Sequence, residues 1–165
     1  VAIINDISGG ELDPEMFSTA ADLQVPYILM HMRGTPQTMQ QNVDYADFMG
    51  EVMLYFSEKI RQLNELGVND VILDPGFGFS KTLDQNYELM ARMNEFRLFD
   101  MPLLVGISRK SMIYRLLDTD PSESLNGTTV LNTFALQHGA DILRVHDVKQ
   151  AVEAIRIIDK LSNIQ

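Results

Sequence analysis

The sequence contains no cysteine and no tryptophan, and it has no long hydrophobic run. Without thiols the chain can form neither disulfides nor cysteine-ligated metal sites. No apolar run approaches the ~20 residues of a membrane-spanning helix, and no signal-peptide pattern opens the chain. Positive charge is scarce as well, because 13 Lys and Arg stand against 23 Asp and Glu, for a net charge of −10. This acidity argues against a general binder of nucleic acids or membrane surfaces.

The remaining composition is that of an ordinary globular protein. Hydrophobic residues make up 45% and charged residues 22%, which excludes disorder and collagen-like repeats as interpretations. No linker or low-complexity tract divides the 165 residues, which are enough for one sizeable core. We therefore expect residues 1–165 to form a single domain.

Five short apolar runs alternate with longer helical patterns, which predicts an α/β fold of parallel βα units. The predicted strands are 1–7, 27–31, 70–74, 103–107 and 141–145. The predicted helices are about 14–22, 43–66, 83–96, two within 110–137, and 148–162. Two architectures fit this pattern: a five-stranded doubly wound sheet, or the last five units of an eight-unit barrel. A complete barrel takes about 250 residues.

Several helices carry recognisable end signals. Thr82 and Gln85 are spaced as a capping box, and Asp120 precedes a Pro that suits a first helical turn. Asp147 is placed to cap the last helix. The inward faces are predicted for the long second helix at Val52, Phe56, Ile60 and Leu63, and for the last helix at Ala151, Ile155, Ile158 and Leu161.

Residues suited to ligand binding follow the apolar runs, at the edge where parallel α/β folds bind their ligands. Asp74-Pro75-Gly76 alone could be a simple turn. However, Gly76 and Gly78 flank an aromatic residue, so that backbone can approach a flat ligand. Asp74 then offers a carboxylate that can accept two N–H groups from an amidine-like heterocycle edge.

Basic residues follow the fourth and fifth strands. Arg109 and Lys110 oppose the dipole of a helix that Ser108 could cap, which favours a functional role for them. Arg144 and His146 alternate onto one side of the last strand end, directly before a helix N-terminus, as a diphosphate cradle requires. The simpler alternative is an Arg144–Asp147 surface ion pair. His31, a lone histidine, is more often structural than catalytic.

Six segments occur together in a characteristic order and spacing: residues 4–10 (INDISGG), 29–34 (LMHMRG), 73–79 (LDPGFGF), 106–111 (GISRKS), 126–128 (NGT) and 144–147 (RVHD). In these segments the chain resembles dihydropteroate synthase, the folate-pathway enzyme that sulfonamides target. The resemblance implies a TIM-type (βα)8 barrel of which this chain supplies the last five βα units. It thereby favours the barrel over the doubly wound sheet.

The resemblance also implies site residues at matching positions. It assigns pterin binding to Asn5, Met30, Asp74, Phe79, Gly106, Lys110 and Arg144. It places the p-aminobenzoate carboxylate on Ser108 and the diphosphate on Arg144 and His146. Lys110, Arg144 and His146 are the residues expected to be catalytic.

The reaction implied is the condensation of p-aminobenzoate with 6-hydroxymethyl-7,8-dihydropterin diphosphate, which releases diphosphate. The family uses Mg²⁺, and the ligand for it is expected in an N-terminal segment that this chain lacks, together with the first three βα units. No metal ligand is expected within this chain. We expect the chain by itself to be inactive and unable to form the full sulfonamide pocket. The resemblance further implies a cytoplasmic homodimer that acts on small molecules.

Three other functions remain open at this point. A pterin-dependent methyltransferase that uses methyltetrahydrofolate would share the barrel and parts of the Asn and Asp motifs. Such an enzyme has no diphosphate to hold, so residues 108–110 and 144–147 argue against it. The chain could also be a non-catalytic pterin-binding module, or a half-barrel whose site residues are vestigial.

Overall fold

The computed structural model describes residues 2–164, in which five parallel strands alternate with helices. In chain order these are β1 (Ile4–Asp6), α1 (Met16–Leu23), β2 (Tyr27–Met30), α2 (Phe48–Glu65), β3 (Val71–Asp74), α3 (Leu83–Ala91), β4 (Leu104–Val105), α4 (Ser111–Leu116), α5 (Leu125–Gln137), β5 (Ile142–Leu143) and α6 (Val148–Ser162). Short 3-10 helices occur at Met39–Gln41 and Met93–Phe99. The five predicted βα units are thus confirmed. All five strands are shorter than predicted, and residue 1 of the first predicted strand lies outside the described residues.

Every strand lies beside its neighbour in sequence. β1, β2 and β3 form one parallel sheet, β4 pairs with β5, and a parallel bridge between Leu73 and Leu103 joins the two groups. A doubly wound sheet would reverse its strand order at a switch point, whereas a βα barrel adds strands consecutively. The described strands therefore form a five-strand arc of a βα barrel, and the doubly wound alternative is wrong.

The two faces of this arc differ in what they contact, because side chains alternate along a strand. The outer face packs against the helices and forms the main core through Tyr27, Leu29, Val71, Leu73, Leu103, Val105 and Ile107. The inner face has a smaller cluster made of Ile28, Ile72 and Leu104. The strand ends consequently point polar side chains toward the interior of the barrel.

The predicted helix ends are confirmed only in part. The helix predicted to start near residue 43 begins at Phe48, and Asp120 caps no helix because α5 begins at Leu125. The inward face predicted for α2 is buried, and Asp47 caps this helix by accepting from the Gly50 N–H. The capping box of Thr82 and Gln85 at the start of α3 is confirmed. The helix predicted for 83–96 instead ends at Ala91 and continues as the 3-10 turn at Met93–Phe99.

Two predictions for the last helix are wrong in part. Asp147 precedes α6 but makes no side-chain cap, because Arg109 engages its carboxylate. On the predicted inward face Ala151 is buried, whereas Leu161 is 55% exposed; Ala154 is the second buried residue. Within residues 2–164, no helix is long and apolar enough to cross a membrane.

Candidate functional site

The carboxyl ends of the strands bring the predicted residues to one edge of the barrel interior. Met30 on β2 lies opposite Asp74 on β3, and Asn5 on β1 lies opposite Ile28 on β2. Since paired residues of parallel strands share a face, Asn5, Met30 and Asp74 all lie on the inner side. Asn5 is exposed there, while Met30 is 1% exposed.

The residue after Asn5 has a different task. The carboxylate of Asp6 accepts hydrogen bonds from the Ser8 and Gly10 backbone N–H groups and from the Tyr27 hydroxyl. Burial acts to raise the pKa of Asp6, but these hydrogen bonds outweigh it and hold the pKa below its usual value. Asp6 therefore fixes the turn after β1, and Asn5 is the residue that β1 offers to a ligand.

Residues 74–81, which we call the Asp74 loop, connect β3 to α3. Asp74 is 2% exposed, and its Oδ1 accepts the Gly76 N–H at 2.9 Å. Gly76 has φ +71°, and a Cβ there would lie 2.1 Å from the carbonyl oxygen of His31, so only glycine fits. The Gly78 N–H donates to Oδ1 of Asn86 at 2.7 Å. The loop is thus held at both glycines.

The carboxylate of Asp74 can still accept a hydrogen bond from a ligand. Burial raises the pKa of its carboxyl group, while Lys110, Arg144 and Lys81 act to lower it. Within residues 2–164 only Oδ1 accepts a hydrogen bond, so the second oxygen can bind a donor on a ligand. A carboxylate in this position suits a planar N–H edge.

Lys110 crosses from the end of β4 to the Asp74 loop. Its ammonium donates to the carbonyl oxygen of Phe77 and lies 4.8 Å from the centroid of the Phe79 ring. Burial lowers the pKa of Lys110 to about 8, with Arg144 acting in the same direction and Asp74 opposing it. Phe79, half-buried, and Lys110 therefore form one wall beside Asp74.

Lys110, Arg144 and His146, which we call the cation cluster, surround a cavity of about 280 Å³. Its lining consists of Gly106, Ser108, Lys110, Arg144, Val145 and His146. Arg144 lies against Gly106, where a Cβ would come within 3.2 Å of its Nε. Arg144 and His146 are exposed, and within the described chain the Arg144 guanidinium makes no hydrogen bond or ion pair. Such a cavity can accept an anion.

Ser108 is engaged with a neighbour. It is 4% exposed, its Oγ accepts the His146 backbone N–H at 3.2 Å, and the same Oγ lies 3.0 Å from Nδ1 of His146. Ser108 therefore orients His146. Its assignment to a p-aminobenzoate carboxylate stays a prediction, since a carboxylate would have to share this hydroxyl with His146.

The alternative ion pair between Arg144 and Asp147 is wrong. Asp147 instead accepts two hydrogen bonds from Arg109, at 2.9 and 3.0 Å. Arg109 also donates to the carbonyl oxygens of Pro121 and Ser122, both at 2.7 Å. Arg109 thus ties together the loops that follow β4 and β5 and leaves Arg144 available to a ligand. Ser108 does not cap α4, which begins after Lys110.

Sequence reasoning missed Lys81. This residue is 4% exposed, and its ammonium contacts Nδ1 of His31 and two carbonyl oxygens of the Asp74 loop. Burial lowers the pKa of His31 well below its usual value, and Lys81 and Arg33 add to this effect, so His31 is neutral. The inward turn of Lys81 has no signal in the sequence, since a lysine after a loop is normally solvated.

A larger cavity of about 490 Å³ lies at the opposite, amino-terminal end of the strands. It is lined by Met93, Phe96, Arg97, Asp100, Met101, Pro102, Leu103, Gly139 and Asp141. The carboxylate of Asp141 accepts a hydrogen bond there from the Leu103 backbone N–H at 2.8 Å. None of the predicted site residues reaches this cavity, and the carboxyl end of the barrel carries the candidate site.

A buried carboxylate beside a cation cluster, at the carboxyl end of a βα barrel, defines a candidate binding site for a ligand with an N–H edge and an anionic group. Comparison with known families agrees: the family described as "Pterin binding enzyme" matches residues 1–146. The chain therefore belongs to the pterin-binding enzyme family.

Sequence comparison with individual proteins shows which members of this family the chain is similar to. The chain is 48% identical over 159 residues to dihydropteroate synthase of Escherichia coli (strain K12), an alignment that covers 95% of the chain and 56% of the relative. The chain thus spans about half the length of this relative.

Comparison with solved structures also finds dihydropteroate synthases similar to this chain. A Yersinia pestis dihydropteroate synthase in complex with a sulfonamide drug superposes with a TM-score of 0.95 at 40% identity, over 100% of this chain and 61% of that one. The Thermus thermophilus enzyme in complex with 6HMPPP gives 0.92 at 36% identity, over 97% and 64%. A second structure of that enzyme, in complex with 4-aminobenzoate, gives 0.92 at 37% identity, over 96% and 62%.

Proposed function

We propose that this chain provides the pterin and diphosphate sites of a dihydropteroate synthase. The observation that carries the proposal is the buried Asp74 carboxylate beside the cation cluster. The carboxylate suits the N–H edge of a pterin, and Lys110 and Arg144 with the neighbouring His146 suit a diphosphate. Structures of the Thermus thermophilus relative contain 6HMPPP in one case and 4-aminobenzoate in another.

The ring of the substrate would lie across the inner face of the barrel. Asp74 accepts the N–H groups of the pterin, Asn5 hydrogen-bonds from β1, and Met30 and Phe79 line the ring. Lys110 meets the carbonyl edge, and Arg144 lies along the ring face beside Gly106. Because these groups sit on strand ends and a braced loop, the ring is held without a large rearrangement.

The chemistry is a substitution at the methylene carbon of the pterin. The amine nitrogen of p-aminobenzoate forms a bond to this carbon, the carbon–oxygen bond to diphosphate breaks, and the amine loses one proton. Arg144, His146 and Lys110 stabilise the negative charge that develops on the departing diphosphate. No covalent enzyme nucleophile is required, which agrees with a chain that has no cysteine.

We further propose that the reaction uses Mg²⁺. Within residues 2–164 no group of three His, Asp or Glu side chains could hold a metal ion.

The assembly and location that we propose are those of a cytoplasmic homodimer. Exposed apolar side chains on the late helices support an association surface: Val130 is 58% exposed, Ile157 62% and Leu161 55%. Sedimentation velocity tests the dimer, which is contradicted if the protein sediments as a monomer at micromolar concentration.

Calorimetric titration distinguishes this function from a methyltransferase. We expect 6-hydroxymethylpterin diphosphate to bind, and methyltetrahydrofolate to bind far more weakly, because its methyl group leaves the cation cluster without an anion. Equal affinity for both ligands would contradict the proposal. Binding of neither by the folded protein would favour a barrel segment with vestigial site residues.

A further inference from the structure

Lys81 occupies an unusual position for a lysine. It is 4% exposed, and within residues 2–164 no carboxylate forms an ion pair with it. A buried ammonium is unfavourable unless hydrogen bonds replace its hydration. Burial lowers the pKa of Lys81 to about 7, with Lys110 and Arg33 adding to the effect and Asp74 opposing it.

Three near acceptors surround the ammonium nitrogen: Nδ1 of His31, the carbonyl oxygen of Gly76 and the carbonyl oxygen of Phe79 each lie 3.0 Å from Nζ. A fourth, the carbonyl oxygen of His31, lies farther away at 3.5 Å. An ammonium has three protons and no lone pair, so each of the three near acceptors can receive one proton. A neutral amine would leave one acceptor facing a lone pair. The neutral His31 presents Nδ1 as an acceptor, which fixes its remaining proton on Nε2.

These contacts join two parts of the site. His31 directly follows β2, while Gly76 and Phe79 belong to the Asp74 loop. The loop in turn carries Asp74, the Phe79 ring, and the Phe77 carbonyl that receives Lys110. Movement of the loop would therefore displace three parts of the proposed pterin site together, without touching Arg144 or His146.

We propose that Lys81 is a positioning residue for the pterin half of the site, acting as a cationic cross-link between the end of β2 and the Asp74 loop. This inference rests on the proposed function, since it names the ligand group that the loop would orient. Methionine has nearly the same length and would be buried there without the cost of a charge. Unlike methionine, the lysine supplies three donors to the acceptors around it.

The test compares two ligands in Lys81→Met by calorimetry. We expect 6-hydroxymethylpterin diphosphate to bind about tenfold more weakly, because small displacements of binding groups are costly. Inorganic diphosphate should keep its affinity to within about twofold, because Arg144 and His146 do not contact the loop and the flexible Lys110 side chain can still reach the anion. Lys149→Met is the matched control, since Lys149 is on the surface with 82% of its side chain exposed, and it should change neither affinity.

Amide exchange gives a readout that is independent of ligand. In Lys81→Met the N–H groups of Gly76, Gly78 and Phe79 should exchange faster, whereas those of β1 and β2 should not change. Lys81→Gln keeps a polar head group with two donor protons. Its pterin affinity and its amide exchange rates should therefore lie between those of the wild-type protein and those of Lys81→Met.

Several results would overturn the inference. Equal weakening for both ligands would make Lys81 a general stability element, as would failure of both variants to fold. Unchanged pterin affinity in Lys81→Met would show that the cross-link positions nothing. If the wild-type protein bound inorganic diphosphate but not 6-hydroxymethylpterin diphosphate, the proposed function itself would be wrong. This outcome would be seen without the variants, so it can be told apart from failure of the inference about Lys81.

Discussion

The Asp74 loop and the cation cluster face the same cavity region but are built in opposite ways. Asp74 and Lys81 are 2% and 4% exposed, and every glycine turn of the loop is hydrogen-bonded or sterically fixed. Arg144 and His146 are exposed, and the Arg109–Asp147 pair holds only the backbone around them. One half of the site is buried and fixed by hydrogen bonds, and the other is exposed to solvent.

This difference suits the two parts of the proposed substrate. Hydrogen bonds to a planar ring edge are strongest and most selective where water is excluded. A diphosphate has to enter with its charge and leave after the reaction, so its partners are more useful at the water boundary, where ion pairs are weaker. We therefore expect pterin recognition to depend on single groups and diphosphate recognition to be shared among several cations.

The largest effect is expected at the buried half. Asp74→Asn should weaken binding of 6-hydroxymethylpterin diphosphate by about 100-fold, or ~3 kcal/mol, because charged hydrogen bonds to the ring are lost. Calorimetry measures this change, and Asp118→Asn, an exposed residue with φ +49° that asparagine tolerates, is the matched control. A loss below about fivefold would mean that Asp74 is not a ligand-binding carboxylate.

A smaller effect is expected at the exposed half. Arg144→Gln should weaken binding of inorganic diphosphate by roughly tenfold to 30-fold, since Lys110 and His146 remain. The affinity of the unchanged protein for diphosphate should also fall with added NaCl, because exposed charges are screened. Affinity for 6-hydroxymethylpterin, which lacks the anion, should respond little to salt. A salt dependence that is the same for both ligands would contradict the division into two halves.

The pH dependence should come mainly from Lys110, which contacts both halves, with a smaller part from Lys81, whose burial lowers its pKa to about 7. Burial lowers the pKa of Lys110 to about 8, so Lys110 is positively charged below that pH and loses its charge above it. Affinity for 6-hydroxymethylpterin diphosphate should therefore fall roughly threefold to tenfold between pH 7 and pH 9. Titrations in a series of buffers measure this change. Lys110→Arg, which stays charged, should flatten the fall, and an unchanged pH profile in that variant would assign it to another group.

Gly106→Ala should produce the smallest effect. The added Cβ would lie 3.2 Å from Nε and 3.3 Å from Nη2 of Arg144, a contact that moves this flexible side chain by tenths of an ångström. Binding of 6-hydroxymethylpterin diphosphate should weaken by about threefold, or ~0.7 kcal/mol. A change above about 30-fold would show that Arg144 is held as rigidly as the Asp74 loop.

Sequence reasoning located the strands and the edge of the site for one physical reason. Apolar runs that end in Asp74 or Arg144 show where a buried strand meets a ligand-binding loop, and this information is local. Partners across the fold are not local. Lys81 and His31 are 50 residues apart, and Arg109 and Asp147 are 38 apart, so no spacing rule could pair them.

The wrong predictions also arise because tertiary contacts cannot be read from local sequence patterns. Asp147 has the right place and residue type for a helix cap, but a bidentate Arg109 competes for its carboxylate. The periodicity of α6 predicted Leu161 as buried, although it lies near the end of the helix, where it is exposed. Local patterns specified what each residue could do, and tertiary contacts decided between the possibilities.

A crystal structure of the protein with 6-hydroxymethylpterin diphosphate tests the central claim most directly. The two-half account predicts that the N–H edge of the pterin lies within hydrogen-bonding distance of Asp74 and that the ring packs against Phe79 and Met30. It also predicts that the diphosphate contacts Arg144 and His146. A ligand found in the cavity at the amino-terminal end of the strands, or one whose ring avoids Asp74, would contradict it.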